Sequence, residues 1–501
     1  MMARVFRQAR LRWDLLSAAA IIVVLAGFRL TAYGDVRYSV GNGETMSYIE
    51  SSRAPAFSWQ SFAGRRLFTT NLIYKLANDP ERCPLTAVSN PAEGKEVPVI
   101  LQACFDRLAT IQHVLAVFSW SLLAWMIARE FRSGPVRILA AAIILAFAYT
   151  PQIAEWDSIL SPESLTMSLF VLSLALLVEL SFHARGTGAR WSRPQILMGT
   201  GLLLTFTLWI FVRDVNLYSL LVTIPMAILL LLISRRELRP GLAVCAGVLV
   251  AIFALGYFTA RDSLRATRYP LVHAFEDYIL PFPSRVEWFD AKGMPDPASQ
   301  AYLPWLDKNA SSTYAAFLVS HPGFVLQSLW ENLAYFRAEY TQQYDKGEQT
   351  WGRATLLSLG EMLHPESNVV YLVILLCTTA IGVRAAAPAS ITQRTWLWLV
   401  TWFLLVSVVV LLVSFFGDTN AFRRHLYPSV ESLRLLMWLA LLIVLDGYAS
   451  SKAQSPELER ATPGNSQVKV QDGYASPTSV AAMVPQGVTR ALSNPEPGWS
   501  S

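Results

Sequence analysis

Long apolar runs alternate with short polar turns along most of the chain. Ten runs reach or approach the roughly 20 residues that a helix needs to cross a bilayer. They fall near 13–32, 108–128, 137–153, 164–182, 195–212, 215–233, 241–259, 368–383, 395–416 and 430–446. The pattern predicts an all-α polytopic membrane protein of about ten transmembrane helices in a membrane domain over 13–446. Two longer polar segments, 33–107 and 260–367, interrupt the series. In the second, Leu326, Leu329, Trp330, Leu333, Phe336 and Tyr340 recur at helical spacing, which predicts an amphipathic helix that either packs on the outer ends of the spans or helps hold substrate. The stretch 450–501 is rich in Ser, Pro, Gln and Gly and buries too little apolar surface to offset its ordering entropy, so it reads as a disordered tail.

Composition narrows the function classes. Hydrophobic residues make up 53% of the 501 and charged residues 15%, against about 25% charged in a soluble domain, which excludes a soluble enzyme. The 41 Lys and Arg exceed the 36 Asp and Glu, but they sit in short clusters between apolar runs rather than on a groove, so a nucleic-acid partner is excluded. Instead they set orientation, because basic residues in short loops are retained in the cytoplasm while long loops cross regardless of charge. With residues 1–12 inside, the inner turns carry Arg129, Arg132 and Arg137, then Arg185, Arg190 and Arg193, then Arg235, Arg236 and Arg239, and finally Arg384 and Arg394. The tail 450–501 is then cytoplasmic, and both long segments face outward. Arg4, Arg7, Arg10 and Arg12 precede the first run as in a signal peptide, yet no small-residue cleavage site follows, so an uncleaved anchor is expected. Four cysteines make no disulfide framework. Cys245 and Cys377 fall in apolar runs, and Cys83 and Cys104 share an outer segment where they can pair.

Polar residues gather in the outer turns. Tyr33-Gly34-Asp35 and Gly43-Glu44-Thr45-Met46-Ser47-Tyr48 follow the first run, and Glu155 to Ser164, with Asp157 and Glu163, lies between the third and fourth. Arg213-Asp214-Val215-Asn216 precedes the sixth, and Gly417-Asp418 with Arg424-His425 precedes the last. Taken singly, each is a solvated or capped helix end. Together they predict a polar cavity at the outer membrane surface, since ionisable groups at membrane depth line cavities or pair.

These turns resemble those of the GT-C superfamily of polytopic glycosyltransferases, in particular the bacterial branch of protein mannosyltransferases and lipid A sugar transferases. Gly43-Glu44-Thr45-Met46-Ser47-Tyr48 is similar to its Gly-Asp-Ser-x-x-Tyr, with Glu in place of Asp. Ile159-Leu160-Ser161-Pro162-Glu163-Ser164-Leu165 is similar to its Leu-Ser/Thr-Glu-Ser-Leu, with Pro162 inserted. Arg213-Asp214-Val215-Asn216 and Gly417-Asp418 with Arg424-His425 resemble its Arg-Pro-Asn and Gly-Asp…Arg-His patterns.

The resemblance implies transfer of a sugar from a polyprenyl-phosphate carrier to a glycan, lipid or protein acceptor on the outer face of a bacterial inner membrane. It implies Glu44 as the general base, with Asp35 as the alternative, and Arg213, Arg424 and His425 as groups that bind the donor phosphate. Asp157, Glu163 and Tyr48 are candidates for orienting the acceptor or holding a divalent cation, Mg or Mn, although no Asp-x-Asp motif is present. No cofactor is required by any motif. The rival reading is a transporter or flippase of a lipid-linked or soluble solute. Such proteins place charges near the bilayer midplane, whereas here the polar groups sit at one rim.

Overall fold

The computed structural model describes residues 2–77, 84, 86, 88, 99–186, 192–234, 236–263, 268–338, 342, 344, 351–387, 391–417, 419 and 422–461. Among them, eight helices are long and apolar enough to cross a membrane: Trp13–Ala32, Ala103–Glu130, Pro162–His183, Asp214–Ile233, Arg239–Asp262, Val369–Ala386, Ile391–Gly417 and Arg423–Lys452. The pair Gly134–Tyr149 and Pro151–Ser158, bent by 55°, makes a ninth if its two parts are taken as one span. Its break has a local cause. Pro151 disfavours helical backbone at the preceding residue, and Thr150 is extended with ψ 156°. The expected stretch 195–212 forms the helix Arg193–Ile210, whose Arg193-Pro194-Gln195 opening lowers its apolarity below that of the others. All ten expected runs are therefore helical, eight as continuous apolar spans. The protein is an all-α polytopic integral membrane protein.

Several spans turn bare apolar surface outward, at Val23, Leu197, Leu204, Leu232, Val244, Leu375 and Val383. Helices suit that environment because they satisfy their backbone polar groups internally. The inward faces pack around Trp120, Phe147, Trp156, Phe170, Trp209, Trp402, Phe415 and Tyr427. Residues 268–324 carry a second core of their own, built on Phe275, Phe289, Trp305, Tyr314 and Phe317. The first long segment docks through a third, smaller core of Tyr48, Ile49, Tyr74, Phe105, Leu108 and Leu160.

Two isolated bridges fix that docking, both at Val40. Its N–H donates to the Ser158 carbonyl at 2.8 Å, its carbonyl accepts from Leu160 N–H at 2.9 Å, and the adjacent Gly41 N–H donates to Ile100 at 2.9 Å. The Thr45 hydroxyl then donates to the Leu160 carbonyl at 3.0 Å. This knot holds Gly43 to Tyr48 against the turn that leads into the helix Pro162–Gly186. Earlier along the segment, Gly34 has φ +81°, a left-handed conformation at the end of the first helix that glycine adopts without penalty.

The expected amphipathic helix over 323–343 is divided. Pro322–Glu331 and Leu333–Arg337 are separate helices meeting at Asn332. Phe336 is buried and Leu329 and Leu333 pack on the main core, as expected of a helix lying on the spans, while Leu326 and Trp330 are exposed. Tyr340 lies outside the described residues. Cys104 is disulfide-bonded, Cys245 and Cys377 are free, and Cys83 lies outside the described residues. The chain divides into two units, Met1–Ser451 and Lys452–Ser501. The last helix, Phe422–Ala461, outruns the apolar stretch 430–446 at both ends, and 462–501 lie outside the described residues.

Candidate active site

Four turns distant in sequence converge on Glu44. It precedes the helix Thr45–Ser52 and is anchored by its own N–H, which donates to the Asn42 side chain at 2.9 Å. One carboxylate oxygen, Oε1, accepts from Arg424 at the start of the last helix. The other, Oε2, accepts from the Tyr48 hydroxyl at 2.7 Å and lies 3.0 Å from Nη2 of Arg66. Tyr48 stands one helical turn beyond Glu44, so the spacing itself brings the two together. Arg66 is fastened by donation to Ser47 at 2.9 Å and by stacking over the Tyr48 ring at 4.2 Å.

Glu163 forms the floor. Pro162 opens the helix Pro162–Gly186, where its fixed φ is helical and its missing N–H costs nothing, so the residue that interrupts the sequence motif is a helix start. Glu163 thereby sits in the first turn, where the helix dipole favours an anion. It is fully buried, with Arg424 Nε at 3.4 Å and Arg213 Nη1 at 3.9 Å. Neither contact makes a hydrogen bond: both Glu163 oxygens, Arg213 Nη1 and Arg424 Nε are buried without a hydrogen-bond partner. Tyr344 hydrogen-bonds Arg424, and His425 interacts electrostatically with Glu44, Arg213, Arg424 and Arg66.

Burial alone would raise the Glu44 carboxyl, but Arg424 and Arg66, aided by His425 and the Tyr48 hydroxyl, hold it well below the ordinary carboxylate range. Glu44 is ionised at any physiological pH. Burial pushes the Tyr48 phenol up, so it stays a hydrogen-bond donor.

The other candidates lie apart. Asp157 is buried in a separate network: Oδ2 accepts from Arg29 at 2.9 Å and Oδ1 from Ser164 at 2.6 Å, while Arg29 also reaches His113 at 3.1 Å and the Ala154 carbonyl at 2.9 Å. Asp35 is exposed, and its carboxylate accepts the Arg37 N–H at 2.9 Å in a local turn. Asp418 lies outside the described residues. Sequence reasoning missed Arg66, whose signal was the Arg65-Arg66 pair in an otherwise weakly charged stretch, and Tyr344, which carried none. No group of three His, Cys, Asp or Glu side chains gathers among the described residues, and Glu44 and Glu163 already face guanidiniums. Those residues do not fit a divalent cation.

The expectation that charge is confined to the rim needs correction in the last span. Glu431 and Arg434 lie eight and eleven residues inside Arg423–Lys452, about 12 and 16 Å along the helix. They are accommodated because His364, from the turn after the helix Trp351–Leu363, reaches Glu431 at 2.6 Å and because Arg434 donates to the Arg337 carbonyl at 2.8 Å.

The fold and this cluster define a polytopic helical membrane protein with a carboxylate and arginine site at one end of its spans. No family model and no curated protein matches the sequence. Among solved structures, the chain is similar to the archaeal oligosaccharyltransferase AglB from Archaeoglobus fulgidus in complex with an inhibitory peptide and a dolichol-phosphate, at 14% identity and a TM-score of 0.44, over 90% of this chain and 52% of that one. It is similar also to the Archaeoglobus fulgidus oligosaccharyltransferase in complex with Zn and sulfate, at 13% identity and 0.43, over 87% and 51%. The form tethered to an acceptor peptide matches at 11% identity and 0.40, over 89% and 51%. The chain spans about half the length of these structures.

Proposed function

We propose that the protein is a membrane glycosyltransferase that moves a hexosyl or pentosyl group from a polyprenyl-phosphate carrier to a glycan, lipid or protein acceptor, with Glu44 as general base. The observation that carries this reading is the gathering of Glu44 with Arg66, Arg213 and Arg424 in a cluster whose entrance side, Glu44 and Arg66, is about a quarter exposed, at 26% and 23%. The basic short turns orient that end toward the outer side, in a bacterial cytoplasmic membrane.

Transfer needs three things from the chain. The acceptor hydroxyl attacks the anomeric carbon and gives its proton to a Glu44 oxygen, as the bond from that carbon to the phosphate oxygen breaks and its electron pair stays on the phosphate. A positioned base contributes about 10²–10⁴-fold to such a step. Arg66, Arg213, Arg424 and His425 meet the phosphate, where guanidinium forks match two oxygens at once and offset the charge that develops. The apolar outer faces of the spans let the carrier's lipid remain in the bilayer while its head reaches the cluster.

The test is transfer itself. Full-length protein in nanodiscs is incubated with radiolabelled polyprenyl-phosphate sugars and a cell-envelope extract, and label is expected to appear in an extractable glycan, lipid or protein. Label that stays on the carrier with every donor sugar refutes the transferase reading.

A further inference from the structure

Glu44 is held at both carboxylate oxygens in the free protein. Arg424 holds Oε1, Arg66 and Tyr48 hold Oε2, and these three donors fill most of the roughly four acceptor sites a carboxylate has. A carboxylate so held is a poor proton acceptor. Yet among the described residues the cluster has charge to spare: the three guanidiniums of Arg66, Arg213 and Arg424 pair with the two carboxylates of Glu44 and Glu163. Two of those guanidiniums also have buried N–H groups that hydrogen-bond to nothing, Arg213 Nη1 and Arg424 Nε. An arriving anion therefore finds donors ready and can compete for those on Glu44.

We propose that Glu44 is locked by Arg66 and Arg424 until the phosphate of a lipid-phosphate donor draws these guanidiniums onto its own oxygens, so that donor binding releases the base and switches the site on. The proposal rests on the transferase reading and adds its order of events: donor first, acceptor second. The phosphate's non-bridging oxygens take the hydrogen bonds that Glu44 gives up, and the total of charge-assisted bonds is conserved. Glu44 keeps the Tyr48 hydroxyl, which faces it from the same helix. Glu163 from beneath, Arg213 and His425 from their turns, and Tyr344 against Arg424 remain in place. After transfer the phosphate carries one more negative charge and holds the arginines harder, which keeps the base free until the carrier leaves.

The test uses full-length protein in nanodiscs with farnesyl phosphate as the probe and inorganic phosphate as the lipid-free control. Binding is read by tryptophan quenching and the state of Glu44 by the infrared C=O stretch of a protonated carboxyl. At about pH 5, near the upper edge of the ordinary glutamate range, farnesyl phosphate should bring up a carboxyl band that is absent in Glu44→Gln. Inorganic phosphate should do so only at much higher concentration. Arg66→Gln should weaken farnesyl phosphate binding about tenfold and shift the Glu44 midpoint of the free protein upward, with Arg66→Lys restoring most of both. Binding with no new band, a band that persists in Glu44→Gln, no binding of farnesyl phosphate, or an unmoved midpoint in folded Arg66→Gln overturns the switch. A protein that shows the band yet transfers no sugar keeps the switch and refutes the transferase reading. One that transfers sugar while Glu44 never leaves the locked state refutes the switch alone.

Discussion

Two charged clusters, one at the polar end of the spans and one inside the last span, are built from the same residue types and finished differently. Around Glu431, every strong group is closed: His364 Nδ1 meets one Glu431 oxygen at 2.6 Å, its Nε2 meets the Thr150 hydroxyl at 2.8 Å, and Phe147 stacks on its ring at 4.2 Å. None of the three side chains, His364, Glu431 or Arg434, is more than 2% exposed. Around Glu44, by contrast, the carboxylate and Arg66 are about a quarter exposed, and Glu163 has no hydrogen bond to either oxygen. A buried ion cluster closed on itself fixes geometry, whereas one with unused donors and partly exposed side chains suits the donor-binding role proposed above. The difference lies in saturation and access, since composition is shared.

The largest expected effect is at the open cluster. Glu44→Gln keeps size and the hydrogen bond to Tyr48 but removes the proton acceptor, so turnover should fall about 10²–10⁴-fold in the transfer assay. Stability should change little, because Arg424 keeps Glu163 as its counter-charge. Glu44→Asp should be milder, since it retains a carboxylate at shorter reach. Wild-type turnover in Glu44→Gln would remove the contrast between the clusters at once.

Glu431→Ala should do the reverse. It leaves the Arg434 guanidinium and the His364 ring without their shared carboxylate, and breaking a buried pair this way costs about 3–5 kcal/mol. Thermal unfolding in detergent should show that loss, with residual activity tracking the folded fraction. A Glu431→Ala protein of normal stability and no activity would make the closed cluster part of the chemistry.

A smaller effect is expected at Arg213, which stands 3.9 Å from Glu163 and forms the far wall of the open cluster. Arg213→Gln should raise the KM for donor and lower kcat, together lowering kcat/KM about tenfold, the value of one charge-assisted hydrogen bond. Arg213→Lys should rescue only partly, because it offers a point charge instead of a planar fork. An unchanged kcat/KM would confine the phosphate to Arg66 and Arg424.

The architecture was legible in the sequence because crossing a bilayer imposes a length and an apolarity that a single run of residues either has or lacks. The open cluster was partly legible for a related reason: Glu44, Glu163, Arg213 and Arg424 all stand at helix ends, where a charged residue between two apolar runs is conspicuous. What could not be read was the assignment of partners. Arg424 and Glu44 are 380 positions apart, and Arg29 and Asp157 are 128 apart. Asp157 and Glu163, six positions apart in one turn, look alike as letters, yet Asp157 is held by Arg29 and Ser164 while Glu163 faces Arg424 and Arg213. Arg29 itself gave a usable signal, a lone cation near the end of an apolar run, which at membrane depth calls for a buried partner. Glu431 gave the same signal and was hidden because the last helix begins before the apolar stretch that marks it.

The smallest expected effect tests the same lesson within one segment. Asp35 and Glu44 are nine positions apart, both acidic and both on the outer side of the first span by the orientation proposed here. Asp35 is exposed and has its carboxylate turned to the Arg37 N–H, a local bond that shapes the turn after Gly34. Asn accepts the same bond, so Asp35→Asn should change stability by no more than about 0.5 kcal/mol, as for an ordinary surface substitution. Turnover should change less than about twofold, roughly 0.4 kcal/mol of barrier. Exposure is what separates the two acids, because the solvated Asp35 carboxylate is held by a backbone amide, whereas Glu44 has two guanidiniums beside it to receive a phosphate while it takes a proton. A folded but inactive Asp35→Asn protein, set beside near-normal Glu44→Gln, would transfer the base to Asp35 and show that the arginine cluster around Glu44 holds the segment in place rather than the donor.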